Sequence, residues 1–122
     1  MTVITRKAAP SHSFFIIDDS RSGTPPEPQF FAGTLSTSSM LYVTCLMFQD
    51  GKTEISLGPA SEVPQEGMIA FDNYLETLNG MISITTVDGT IVAKQKVGTL
   101  NTRIRVWTNH PTEPDRIIVG WG

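Results

Sequence analysis

The clearest alternation of apolar and polar positions lies at the C-terminal end of the chain. Over residues 102–108, Ile104 and Val106 point one way and Arg103, Arg105 and Trp107 the other. Over residues 115–122, Ile117, Val119 and Trp121 share a face. A period of two marks a half-buried β-strand, because successive side chains leave a strand on opposite sides. Between the two runs lies Asn109-His110-Pro111-Thr112-Glu113-Pro114, a polar, proline-punctuated loop.

Similar patterns recur upstream. Residues 12–18 read as a strand, with Phe14 and Ile16 on one face and Phe15 and Ile17 on the other. Apolar residues on both faces predict a strand covered on each side, or one whose outer face meets a partner. Residues 30–35 read as a short strand or an edge, and residues 36–39 as a polar turn. Residues 40–49 form the most apolar run. Asp50-Gly51 then predicts a tight hairpin turn, since both residues tolerate positive φ. Residues 52–58 are the expected returning strand, with Ile55 and Leu57 alternating with Glu54 and Ser56. Residues 68–78 carry two readings. Phe71 and Leu75 are four apart, as in a short helix, but the β context on both sides favours strand. Asn79-Gly80 is a further turn signal. Residues 81–87 place Ile82 and Ile84 opposite Ser83 and Thr85, Asp88-Gly89 turns, and residues 90–97 return with Ile91 and Ala93 against Val92 and Lys94.

Two stretches break the pattern. Residues 1–10 are mixed and read as loosely ordered. Residues 18–29 combine Asp, Ser, Gly and Pro, which favour turns and withhold donors from a sheet ladder, so they predict a long flexible loop. The expected architecture is one domain over residues 1–122, all-β, an antiparallel β-sandwich of about seven to eight strands. An open barrel is the structural alternative.

Composition narrows the function classes. A chain of 122 residues, 39% hydrophobic with six Phe and two Trp, can bury a core without disulfides or a structural metal. The formal charge of −3 argues against nucleic acid as a partner, which calls for surplus Lys and Arg. The single cysteine, Cys45, sits in an apolar run and reads as a buried small hydrophobe. That fits a reducing cytoplasm and not a disulfide-rich secreted scaffold. The apolar run at residues 14–17 is too short for a signal-peptide core, and no stretch reaches bilayer-spanning length, so a soluble cytoplasmic protein without a membrane partner is expected.

The chain shows no phosphate loop, nucleophile elbow or zinc-spaced Cys/His set. Pairing His12 or His110 with Cys45 would need an exposed thiol in a strand that reads as core. No catalytic residue, metal site or cofactor is expected, and the chain reads as a non-enzyme. Asp18, Asp19, Asp50, Asp88 and Asp115 fall in loops, where calcium-dependent sandwich modules gather carboxylates. Turn chemistry explains them more simply, and hairpin loops alternate between the two ends of a sandwich. The candidate partner-binding surface is Arg103, Arg105 and Trp107, since Arg and Trp are enriched at binding hot spots. The competing reading packs Trp107 under a loop and leaves the arginines solvated or paired with Glu54 or Glu76.

Four segments together look familiar: Phe71-Asp72-Asn73-Tyr74-Leu75-Glu76, Gly80-Met81-Ile82-Ser83-Ile84, Arg103-Ile104-Arg105-Val106, and the closing residues 115–121. Their order resembles small bacterial β-sandwich proteins related to the competence-nuclease inhibitors. In that group a Trp-Asp pair and a following Glu often stand where Phe71, Asp72 and Glu76 stand here. This chain has Phe in place of Trp, and the likeness covers roughly the last half to two thirds. It implies a β-sandwich and a bacterial cytoplasmic setting. The expected function is a non-enzymatic protein-interaction module, an inhibitor or immunity protein that neutralises a protein partner. A calcium- or carbohydrate-binding sandwich is the alternative. An acidic inhibitor would use carboxylates to mimic phosphate, yet this chain has no concentrated acidic run. Self-association into a homo-oligomer is expected if residues 14–17 or the Trp107 face stay exposed.

Overall fold

The computed structural model describes residues 3–122 and consists of two five-stranded sheets packed face to face. The first sheet runs β1 (Ile4–Ala8), β5 (Thr53–Pro59), β10 (Arg116–Trp121), β9 (Asn101–Thr108), β6 (Met68–Glu76). The second runs β3 (Thr34–Ser36), β4 (Met40–Thr44), β2 (Phe14–Asp18), β7 (Met81–Thr85), β8 (Ile91–Lys96). Neighbouring strands are antiparallel except β5 and β10, which run parallel. No described helix is long and apolar enough to cross a membrane.

The core lies between the sheets. Ile104, Val106, Ile117 and Val119 meet Phe15, Ile17, Leu41 and Ile84, all at most 1% exposed among the core residues. Each such side chain contributes about 1.5–3 kcal/mol on burial. A one-residue slip would turn a whole strand's apolar set to solvent, so burial fixes the register. Trp121 closes one margin of the core, its indole N–H donating to Gln95 Oε1 at 2.7 Å across the two sheets.

Several expectations change. Asp50-Gly51 does not close a hairpin, because β4 and β5 belong to different sheets. Asp50 ends a short 3-10 turn (Phe48–Asp50), and Gly51 continues at φ 133°. The crossing is anchored where Leu46 N–H donates to the Pro114 carbonyl at 2.9 Å. Asp-Gly supplies a sharp bend equally well between sheets as within one. Asn79-Gly80 likewise joins strands of different sheets, whereas Asp88-Gly89 does close the β7–β8 hairpin. Residues 68–76 are strand, not helix.

Within residues 1–10, Ile4–Ala8 forms an edge strand paired with β5 from Ile4↔Leu57 to Ala8↔Thr53, while residues 1 and 2 lie outside the described residues. Only the two ends of that strand turn inward, so its sequence shows little alternation. In β8 a bulge sets Ile91 opposite Thr85 and Ala93 opposite Ile84, placing them on different faces. Ala93 is buried and Ile91 exposed.

Candidate protein-binding face

The outer face of the first sheet carries the residues expected to bind a partner. The β9 alternation brings Arg103, Arg105 and Trp107 onto that face together. Trp107 is only 4% exposed, clustered with Ile118 opposite it and with Val63 from the loop after β5. Its ring closes over Gly120, where a Cβ would come within 3.1 Å of it. The Arg105 guanidinium carbon lies 5.8 Å from the Trp107 ring centroid, and its Nη2 donates to the Gly122 carbonyl at 3.1 Å. Arg103 grips Asp72 through two bonds of 2.9 Å, Nε to Oδ1 and Nη2 to Oδ2. That bond holds the Asp72 carboxyl below its usual value and raises the Arg103 guanidinium. Arg116 lies 3.5 Å from Glu54 and 2.9 Å from Glu66. These arginines are therefore engaged by groups of their own chain.

The outer face of the second sheet is different. Cross-strand register lines up Leu35, Tyr42, Ile16, Thr85 and Ile91 across all five strands. Beside this row Phe14, Phe31 and Tyr42 form an aromatic cluster. Ring centroids are 5.6 Å apart for Phe14–Phe31, 4.8 Å for Phe14–Tyr42 and 5.9 Å for Phe31–Tyr42. Such pairs add about 0.5–1.5 kcal/mol each beyond burial. All three rings are half-buried, and Phe30, next in chain to Phe31, is 96% exposed. The outward Phe14 and Ile16 were visible as a strand apolar on both sides. Phe31 was not, because it reaches the sheet from an irregular segment.

That segment begins in a strained turn. Ser20 and Arg21 both have left-handed backbones, φ 52° and 63°, which costs on the order of 1–2 kcal/mol per non-glycine residue. The buried Asp18 carboxylate holds the turn, accepting the Arg21 N–H at 3.2 Å and the Gly23 N–H at 3.0 Å. Burial raises the Asp18 carboxyl above its ordinary value, although those two bonds oppose the shift. Asp19 accepts the Asn79 N–H on Oδ2 at 2.6 Å, tying the turn to the β6–β7 connection. Its Oδ1 is buried without a hydrogen-bond partner.

The other sequence candidates lie apart from this face in their bonding. Burial pushes the Cys45 thiol up to about 11. Ser11 and His12 bond each other, and His110 Nδ1 accepts the Glu113 N–H at 2.9 Å. Asp88 accepts bonds from Thr86 and Thr90, and Asp115 from Asn109. No group of three or more His, Cys, Asp or Glu that could hold a metal ion occurs among the described residues.

Two facing sheets with no closed barrel define an all-β sandwich, the fold class predicted from the alternation. Among solved structures the chain is similar to ComJ of Bacillus subtilis, described as the inhibitor of the DNA-degrading activity of NucA. The TM-score is 0.72 at 11% identity, covering 99% of this chain and 96% of that one. The match extends over the N-terminal third, where the residues gave no resemblance, and it falls on the group that residues 71–76 and 80–84 had suggested. No protein-family model and no curated protein matches the chain. At this identity the likeness establishes the fold, and function has to be argued from the surface.

Proposed function

We propose that this chain is a non-enzymatic, inhibitor-type module that neutralises a protein partner, and that the partner docks on the outer face of the second sheet. One observation carries the reading: Phe14, Phe31 and Tyr42 form an aromatic platform on a sheet exterior, bordered by the fully projecting Phe30. Exposed apolar surface of this kind marks contact sites, and aromatic anchors dominate binding energy. The likeness to an inhibitor supports the class of function. A bacterial cytoplasmic immunity role fits the same reading, and the net charge of −3 favours a protein over a nucleic acid as the partner. The face bearing Arg103, Arg105 and Trp107 is the competing contact surface.

Affinity capture from the source cell, with light scattering of the eluted particle, tests this. Wild type should retain one protein at fixed stoichiometry, and Arg105→Ala should retain it too. A Phe30→Ser/Tyr42→Ser double variant should lose it. If the captured protein degrades DNA or another cellular target, adding the wild-type chain should suppress that activity. Recovery of the chain alone, or as a complex of its own copies, contradicts the reading. A glycan panel is the control arm, since aromatic platforms also bind sugars.

A further inference from the structure

We propose that a recess beside the aromatic platform, between Arg21 and Lys94, is a binding site for a carboxylate side chain. The source of that carboxylate, an Asp or Glu of the partner, rests on the protein-binding reading. The recess itself is a property of this chain.

The recess has a volume of about 170 Å³ and is lined by Arg21, Lys94, Ser83, Thr85, Met81 and Ile91, with Ser20 at its rim. Its two cations have no ion-pair partner among the described residues, whereas Arg103 and Arg116 have carboxylates within 4 Å. No acidic side chain lines the recess. Asp18, the acid whose field reaches Arg21, is occupied on both oxygens by the backbone of the turn.

The position of Arg21 is built. Two successive left-handed residues place it there, and backbone strain of that kind persists where the surroundings hold it. The guanidinium lies against the β7–β8 turn at Gly89. A Cβ at Gly89 would fall 3.0 Å from Arg21 Nη1, so a side chain there would crowd it. The opposite wall is also fixed: Ser83 and Thr85 are buried on β7, and Lys94 stands directly across from Ser83.

The chemistry of the lining selects the ligand. Arg and Lys are hydrogen-bond donors to oxyanions, and a guanidinium can hold both oxygens of a carboxylate. Ser83 Oγ donates to the Asp18 carbonyl at 3.1 Å, which leaves it an acceptor rather than an anion donor. Met81 and Ile91 offer an apolar wall to a methylene stem. Buried Asp18 and Asp19 next to the turn disfavour a second negative charge, so a monoanionic carboxylate fits better than a phosphate dianion.

The test uses the chain alone. N-acetyl-glutamate N-methylamide presents one side-chain carboxylate, its glutamine analogue is the uncharged isostere, and inorganic phosphate is the competing oxyanion. Amide resonances of Thr85, Ile91 and Lys94 are followed by NMR. The glutamate probe should give saturable shifts with half-saturation on the order of millimolar. Lys94→Gln and Arg21→Gly should each raise it about tenfold or more, as expected for losing a charge-assisted bond. Arg21→Gly is chosen because glycine accepts the left-handed backbone, so its loss of binding is not a loss of folding. Equal shifts from the glutamine analogue, half-saturation unchanged in both variants, tighter saturation by phosphate, or no saturable shift overturns the site. If a captured protein partner binds wild type and Arg21→Gly alike, the partner as source of the carboxylate is overturned and the protein-binding reading stands. If the probe saturates the recess and no protein is captured, the reading fails and the site stands.

Discussion

On the outer face of the first sheet, charge answers charge. Arg103 grips Asp72, Arg116 sits between Glu54 and Glu66, and Trp107 is sealed against Val63 and Ile118. On the outer face of the second, Phe14, Phe31 and Tyr42 pack on one another at the surface, the neighbouring irregular segment leaves Phe30 in water, and Arg21 and Lys94 border a recess without an acid. Both faces carry the residue types found at interfaces. For the arginines and Trp107 of the first face, partners already lie within the fold, although Ile69 and Tyr74 stand exposed beside them; Arg21 and Lys94 of the second face have no ion-pair partner among the described residues. An arginine held by two bonds must give up its own carboxylate before it serves another, whereas an unpaired one loses only water. Residue type alone therefore does not identify a binding face.

The comparison can be broken first by stability. Trp107→Ala should destabilise the protein by about 3 kcal/mol or more, because it empties a buried cluster that the loop after β5 closes. Phe30→Ser should stay within about 0.5 kcal/mol of wild type, because the side chain is already in water. Urea denaturation measures both. Similar losses would mean that the two faces are not distinct in the way described.

A smaller effect is expected at the strained turn. Arg21→Gly relieves about 1–2 kcal/mol of left-handed strain. The added freedom of glycine in the unfolded chain offsets about 0.5–1 kcal/mol of that. The variant should match wild type or exceed it by up to about 1.5 kcal/mol. A clear loss of stability would show that the guanidinium is a structural brace.

Smaller again is the surface pair. A double-mutant cycle of Asp72→Asn and Arg103→Gln should give a weak coupling that declines with added salt, since both side chains are solvated.

The two carboxyl groups, one on each face, sharpen the comparison by titrating in opposite directions. Asp72 should titrate below 3.8, and Arg103→Gln should return it towards that value. Its contribution to stability is present above 3.8 and is lost as pH falls through its lower folded value. Asp18 should titrate above 3.8. The folded state then holds that proton more tightly than the unfolded chain. Asp18 therefore adds stability as pH falls through its folded value towards 3.8. Carboxyl NMR resonances follow both, and a common midpoint would contradict the account.

Much of the architecture was legible in the alternation. Ile104 and Val106 against Arg103, Arg105 and Trp107 gave β9 with its faces correctly assigned, and Ile117 and Val119 did the same for β10. What the residues could not show was which strand each turn leads to. Asp50-Gly51 and Asp88-Gly89 look alike, yet one crosses between sheets and the other closes a hairpin. A turn residue sets φ, and pairing is decided by contacts distant in sequence, such as the parallel β5–β10 ladder. The strand pattern offers Glu54 or Glu76 as a partner for Arg103, whereas the partner is Asp72, brought close by the β6–β9 register. The outward apolar side of residues 14–17 was readable, but its junction with Phe31 depends on the path of an irregular segment that has no periodic signal. The recess was less legible still, since Arg21 and Lys94 line one recess only through the turn geometry and the β7–β8 register.

The central claim, that the partner docks on the second sheet, is tested most directly by one dissociation constant measured on three proteins. The captured partner should bind Phe30→Ser/Tyr42→Ser at least about thirtyfold more weakly than wild type, as for aromatic hot spots. Arg105→Ala should change the constant by less than about threefold, as for a residue outside the binding energy. A partner that ignores the aromatic variant and is lost with Arg105→Ala would place the interface on the first sheet and contradict the account.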